Sequence, residues 1–261
     1  MKLISWNIAG RVSTVDDQID YLLNGEFDII CLQEVIAKTE EIISENFKDN
    51  GYSVITSSIG KHRENQGKHK YNLLIISKDQ IKIELPKYKI KWREKYLRGI
   101  VNCGQSKIEV TTLHISPGSS NGWEKIITIE ESYKNLIESK NSKRIVCGDW
   151  NTPKSESLNG EITTWGENKK RGDKNGRWDK GERLLLEELS NIGFSDTFRL
   201  VNGYEKIDYS WFVKTKSGKT GRRYDHIYST DTISVKDCFY DHSVRVGKLS
   251  DHSAIITEFE R

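Results

Sequence analysis

Five short segments of this chain end in side chains that hold hard divalent cations and activate water. They are Ser-Trp-Asn at Asn7, Leu-Gln-Glu at Glu34, Leu-His at His114, Gly-Asp-Trp-Asn at Asp149 and Asn151, and Ser-Asp-His at Asp251 and His252. A sixth, Arg-Tyr-Asp-His, carries Asp225. Magnesium prefers carboxylate, amide and water oxygens in octahedral geometry. Glu34, Asp149, Asp251, Asn7 and Asn151 supply such oxygens. A metal that neutralises phosphate charge and acidifies its water supports hydrolysis of a phosphate ester. His114 and His252 are candidates for proton handling or for hydrogen bonds to phosphoryl oxygens.

Each segment alone has an ordinary explanation. Asp149 and Asn151 could form an Asx-turn, His114 a satisfied core histidine, and Asp251 a turn before the last strand. Asn7 alone reads as structural. Asp225 lies in a strand, where an inward carboxylate needs a partner. His252 is the candidate, as an orienting carboxylate–imidazole pair. His62, His69, His226 and His242 have nothing specific behind them.

The elements that must position these residues follow from apolar periodicity. Residues 2–8 read as a strand, 15–23 as a helix, 27–32 as a continuous apolar strand and 39–47 as an amphipathic helix. β-branched content predicts strands over 53–59, 71–77, 81–85, 98–103 and 107–115. Helices are expected over 123–139 and 178–192, with a buried strand over 144–147 between them. Further strands cover 209–213, 224–229, 233–240 and 254–259. Helices fall between strands, so two sheets packed face to face with outer helices is the expected solution. The carboxylates then gather where several strands end, at one edge, where loops carry function.

Composition sets bounds. The 261 residues show no linker and no internal repeat, and read as one domain over 1–261. Hydrophobic residues are only 35%, yet the seven Trp supply large buried area for a core. The four cysteines lack metal-site spacing, and Cys31 and Cys147 lie inside apolar runs, which suits a reducing compartment. No signal peptide or membrane-length segment is expected, so the default is cytoplasmic. Net charge is +3, and basic residues concentrate over 61–70, 169–177 and 214–223. Basic loops around an acidic site suit a polyanion, although charge runs are usually solvated faces.

Taken together, the six segments resemble the endonuclease/exonuclease/phosphatase superfamily, the deoxyribonuclease I and exonuclease III group. The resemblance covers nearly the whole chain. It implies an α/β four-layer sandwich of two packed β-sheets flanked by helices, and a Mg²⁺ or Mn²⁺ phosphoesterase. By motif, Glu34 is similar to the main metal ligand, with Asn7 and Asp251 near the metal. Asp149 resembles the residue that orients or deprotonates the attacking water. Asn151 and His252 resemble groups that hold the scissile phosphate, with Asp225 the partner of His252. Arg98, in Leu-Arg-Gly-Ile, is similar to a phosphate-contacting Arg. The segments Gly193 to Arg199, Tyr209-Ser210-Trp211 and Arg223-Tyr224-Asp225 look like exonuclease III and abasic-site endonucleases. That branch carries Tyr where this chain has His114, and a His there resembles deoxyribonuclease I, tyrosyl-DNA phosphodiesterases, deadenylases, sphingomyelinases and inositol phosphatases.

The reading is a monomeric, metal-dependent phosphodiesterase acting on nucleic acid, DNA before RNA, with no membrane partner. Trp211, Lys169, Lys170 and Arg171 are the expected substrate contacts beside Arg98. The rivals are a phosphatase or phospholipase acting on lipid or inositol phosphates, and a non-catalytic binder that keeps the fold.

Overall fold

The computed structural model describes residues 1–57, 70–104, 106–167, 173–215 and 218–260. In chain order the early strands are β1 (Lys2–Asn7), β2 (Ile29–Val35), β3 (Ser53–Thr56), β4 (Asn72–Ser77), β5 (Ile81–Ile83), β6 (Tyr96–Cys103), β7 (Ser106–His114) and β8 (Arg144–Asp149). They are followed by β9 (Ser155–Glu156), β10 (Ile162–Thr163), β11 (Phe194–Asp196), β12 (Trp211–Thr215), β13 (Gly218–Arg222), β14 (Asp225–Thr230), β15 (Val235–Asp241) and β16 (Ala254–Phe259). The helices are α1 (Val15–Asn24), α2 (Ala37–Asp49), α3 (Gly118–Asn121), α4 (Glu124–Ile137), α5 (Arg177–Leu186), α6 (Thr197–Asn202) and α7 (Ser243–Val246).

Two six-stranded mixed sheets result, ordered β15-β16-β1-β2-β4-β3 and β11-β14-β8-β7-β6-β5. Period-2 alternation decides what each strand buries. Leu3, Ile29, Cys31 and Ile75 face Leu97, Val110, Ile145, Cys147 and Ile227 of the other sheet and form the central core. The intervening Ile4, Ile30, Leu32, Leu74 and Ile76 face outward and pack on Val15, Ile19 and Leu22 of α1 and Ile43 and Phe47 of α2. On the other side Leu113, Val146 and Tyr228 pack on Ile126, Ile129 and Leu136 of α4 and Trp178 and Leu185 of α5. The layering is therefore helix, sheet, sheet, helix.

The expected helix over 178–192 stops early. After Leu186 the chain tightens into a 3₁₀ turn over Glu188–Ile192, closed by Gly193 at φ 80°. The sequence pattern predicts no helix where α6 forms. Asp196 caps it by accepting from the amides of Phe198 and Arg199, a signal lost among apolar neighbours. The predicted strand over 53–59 ends at Thr56, and residues 58 and 59 lie outside the described residues. Among the described residues no helix is long and apolar enough to cross a membrane.

Candidate active site

Strand direction gathers the chemistry at one rim. β1 runs parallel to β2, and β7 parallel to β8, so Asn7, Glu34, His114 and Asp149 sit at or near C-terminal ends of adjacent strands. β14 runs antiparallel to β8, which pairs its first residue, Asp225, with Asp149. His252 lies just before β16, itself antiparallel to β1. Two backbone irregularities aim the acids. Glu34 has φ 55° at a register shift between β2 and β4, so the chain turns it out of the pleat. Gly148 has φ 129°, and a Cβ there would meet the Leu113 carbonyl at 2.0 Å. Gly148→Ala should therefore destabilise the fold by about 3 kcal/mol, combining backbone strain with a clash against fixed main chain. Equilibrium urea unfolding measures it, and a cost under about 1 kcal/mol would contradict this account.

Asn7 clamps the two acids. Its Nδ2 donates to Glu34 Oε1 and to Asp149 Oδ2, both at 3.0 Å. Its Oδ1 accepts from the Ala9 amide at 2.9 Å, which fixes which way the amide points. Asn7 thus presents N–H rather than oxygen to the carboxylates. Burial raises both acids, Glu34 and Asp149. For Asp149 burial dominates, the His252 charge opposes it, Asp225 and Glu34 add to it, and the result is about 7.

A second pair stands beside the first. His252 Nδ1 meets Asp225 Oδ2 at 2.8 Å, and His252 Nε2 lies 3.9 Å from Asp149 Oδ2. Burial alone would lower the imidazole's pKa, but Asp225 and Asp149 outweigh it and push it up to about 10. The ring is therefore cationic at neutral pH, with Nε2 aimed at the acid pair. Ser250 braces this segment, donating to the Asn7 carbonyl at 2.6 Å and accepting from the His252 amide at 3.1 Å.

His114 completes the rim. Its Nε2 is 3.5 Å from Glu34 Oε1. Burial, then the charges of Lys95 and His252, hold its pKa well below the usual range, so it is neutral. Neither ring nitrogen has a hydrogen-bond partner among the described residues. Asn151 stands at φ 51°, its amide N–H donating to Asp149 Oδ1 and its Nδ2 to the Ile115 carbonyl, both at 2.9 Å.

The donor set fits a hard cation. Ligand atoms of Glu34, His114 and Asp149 all lie within 4.8 Å of one another, as do those of Asp149, Asp225 and His252. Asp149 is buried, and the Glu34 charge beside it adds to the cost of its ionisation, which is what a cation would relieve. Asp251 is exposed and belongs to neither group. Its Oδ2 accepts from Trp211 Nε1 at 3.1 Å, and its charge reaches Glu34 and His252. Trp211 stacks on Tyr224 at 5.7 Å and lies 6.2 Å from the His252 ring, which puts it at the rim.

Arg98 is placed elsewhere. The residue is 4% exposed, and its guanidinium donates to the Asn135 carbonyl at 2.9 Å and faces Glu109 at 3.6 Å. Its polar contacts run to α4 and Glu109 and none reaches the acidic rim, because it lies inward along β6 and its charge is already compensated. Lys169, Lys170 and Arg171 lie outside the described residues. Two cations of the basic runs are structural: Arg177 makes a fork to Glu130, and Arg223 binds Glu156 and Asp196.

Sequence reasoning missed Lys95. It is buried against Glu124 at 3.6 Å, and its charge is felt by Glu34 and His114. It also missed Lys125 and Glu182, buried behind Asn151. A single Lys or Glu in a chain this rich in both carries no local signal.

The match of a family model decides what surrounds this rim: the model described as the endonuclease/exonuclease/phosphatase family spans residues 4–252. The chain belongs to that family. A relative, exodeoxyribonuclease III of Haemophilus influenzae, is 26% identical over 279 residues, covering 100% of both chains. An exodeoxyribonuclease of Bacillus subtilis is 26% identical over 267 residues, covering 98% of each. Among solved structures, an AP endonuclease from Archaeoglobus fulgidus superposes with a TM-score of 0.76 at 20% identity, covering 100% of both chains. The four-layer arrangement is the fold of that structure.

Proposed function

We propose that this protein is a divalent-metal-dependent nuclease that hydrolyses phosphodiester bonds in DNA, with Mg²⁺ or Mn²⁺ as its cation. One observation carries the reading. The Glu34–Asp149 acid pair and the Asp225–His252 pair share a single rim, with His252 Nε2 3.9 Å from Asp149 Oδ2. The exodeoxyribonuclease relatives support DNA as the polymer. The four cysteines are free, in keeping with a reducing compartment such as the cytoplasm.

Glu34 and Asp149 would hold the cation, with His114 beside them. Bound there, it supplies neutralisation of phosphate charge and acidification of water. The remaining work falls to the chain's own groups. Asp149, oriented by N–H groups from Asn7 and Asn151, would accept the proton of the attacking water. His252 Nε2–H, kept cationic by Asp225, donates to a phosphoryl oxygen as negative charge builds. Asn151 sits beside Asp149 to hold the same phosphate. His114, neutral, donates a hydrogen bond without adding charge.

Chelation tests the reading. Purified protein with Mg²⁺ should cut plasmid or oligonucleotide DNA, lose that activity in excess EDTA, and regain it with Mg²⁺ or Mn²⁺. A panel of single strand, abasic duplex, RNA and an inositol phosphate assigns the substrate. Full activity after exhaustive chelation, or cleavage of the inositol phosphate alone, would overturn it.

A further inference from the structure

We infer that Lys125 is a positioning residue for Asn151, and that its buried partner Glu182 is the joint locking it there. This rests on the reading of Asn151 as a group that holds the phosphate. Lys125 Nζ donates to the Asn151 carbonyl at 2.9 Å and to the Glu182 carboxylate, and the two side chains are 1% and 0% exposed. The other oxygen of Glu182 accepts from the amides of Trp165 at 2.7 Å and Gly166 at 3.1 Å. One buried ion pair thus joins the first turn of α4, the middle of α5, the loop at Trp165 and the residue beside the catalytic acid.

Asn151 occupies the left-handed region at φ 51°, a conformation Asn reaches more readily than other residues with a Cβ. Three bonds fix its aim there: N–H to Asp149, Nδ2–H to Ile115, and Lys125 to its carbonyl. The first two are made by donors of Asn151 itself. Lys125 is the donor brought from another element to its backbone oxygen.

Stability does not explain the pair. Two buried charges pay heavily for leaving water, and an apolar pair of similar volume generally holds two helices together as well or better. What apolar side chains cannot do is donate to a carbonyl and accept from two amides. The joint also has no room to shift. A Cβ on Gly166 would meet the Asp179 amide nitrogen at 2.3 Å, so the loop backbone lies flush on α5.

The experiment compares Lys125→Met, Lys125→Gln and the double variant K125M/E182M with wild type, by thermal melting and by kcat and KM on duplex DNA with Mg²⁺. Lys125→Met should lower kcat by roughly tenfold or more, with KM changed by about twofold at most, since the lost aim of Asn151 is felt in the transition state. Lys125→Gln keeps a donor and should retain more turnover than Met. The double variant removes both charges but also the acceptor of the Trp165 and Gly166 amides, so its melting temperature should recover in part while its kcat stays low. Recovery of kcat together with melting temperature would make the pair a structural brace and overturn the inference. So would a Lys125→Met enzyme with normal kcat. A crystal structure of the double variant reads the same point without turnover: Asn151 should leave its left-handed conformation and release Ile115. If wild type cleaves no phosphodiester, the nuclease reading falls, and an unmoved Asn151 in that structure would still overturn the positioning role.

Discussion

Replacing Asp149 with Ala lowers turnover by a factor of roughly 10² or more, and replacing His252 with Ala does the same. In the proposed mechanism the two act on one proton and one developing charge. Asp149 Oδ2 and His252 Nε2 stand 3.9 Å apart, each biasing the other's ionisation. The double variant should therefore be far from additive, losing little beyond the worse single variant. Asp149→Ala also frees Asn7 Nδ2 and the Asn151 amide from an acceptor. The rim loosens but the sheets remain, because the core residues of β7 and β8 are untouched. Steady-state kinetics on one duplex, with circular dichroism to confirm folding, decides it. A folded His252→Ala enzyme with near-normal kcat would remove His252 from the chemistry.

Glu156 governs acid stability. It takes a fork from Arg199 (2.9 and 2.7 Å) and a second from Arg223 (2.9 and 3.3 Å), and Arg223 also holds Asp196 at 2.7 Å. Removing one member of such a buried network leaves the other charges uncompensated, so Glu156→Ala should cost about 3–5 kcal/mol. It should also lower activity, since Arg223 stands two residues before Asp225 on the same chain. Burial alone would raise the carboxyl, but Arg223 and Arg199 outweigh it and hold it at about 2, against an ordinary 4.5. The folded pKa is depressed, so this stabilisation is present above about 4.5 and is lost as pH falls toward 2. It amounts to about 3 kcal/mol at 1.36 kcal/mol per unit. His226 opens an earlier window. Burial and then Arg223 hold its pKa at about 4 against 6.5, so protonation favours unfolding as pH falls between those values. Urea midpoints from pH 7 to pH 3 should fall in wild type, and fall less below pH 4.5 in Glu156→Gln. Parallel curves for the two proteins would contradict the assignment.

The sequence by itself determined the strands, the outer helices and the segments that carry chemistry. It could do so because those signals are local. The continuous apolar run Ile29 to Leu32 reports two buried faces, and the Gly148–Asp149 step reports a turn that only Gly permits. The resemblance of the six segments to a known family was legible for the same reason, and the family match over residues 4–252 bears it out. What the tertiary structure decided is which of these groups meet, and with what charge. Asn7 turns its N–H groups to the acids because Ala9 claims its oxygen. Arg98 is spent on Asn135 and Glu109, a matter of where α4 packs over β6. His114 is neutral and His252 cationic although both are buried histidines, because Asp225 faces only the second. Lys95, Lys125 and Glu182 had no signal in the chain at all. A lysine acquires meaning when helix packing removes it from water beside a particular carbonyl or carboxylate, and that neighbour lies 26 residues away for Lys125 and Asn151 and 57 for Lys125 and Glu182. Local pattern fixes what an element buries. The desolvation and pairing that set a charged group's role depend on partners that only the folded chain brings near.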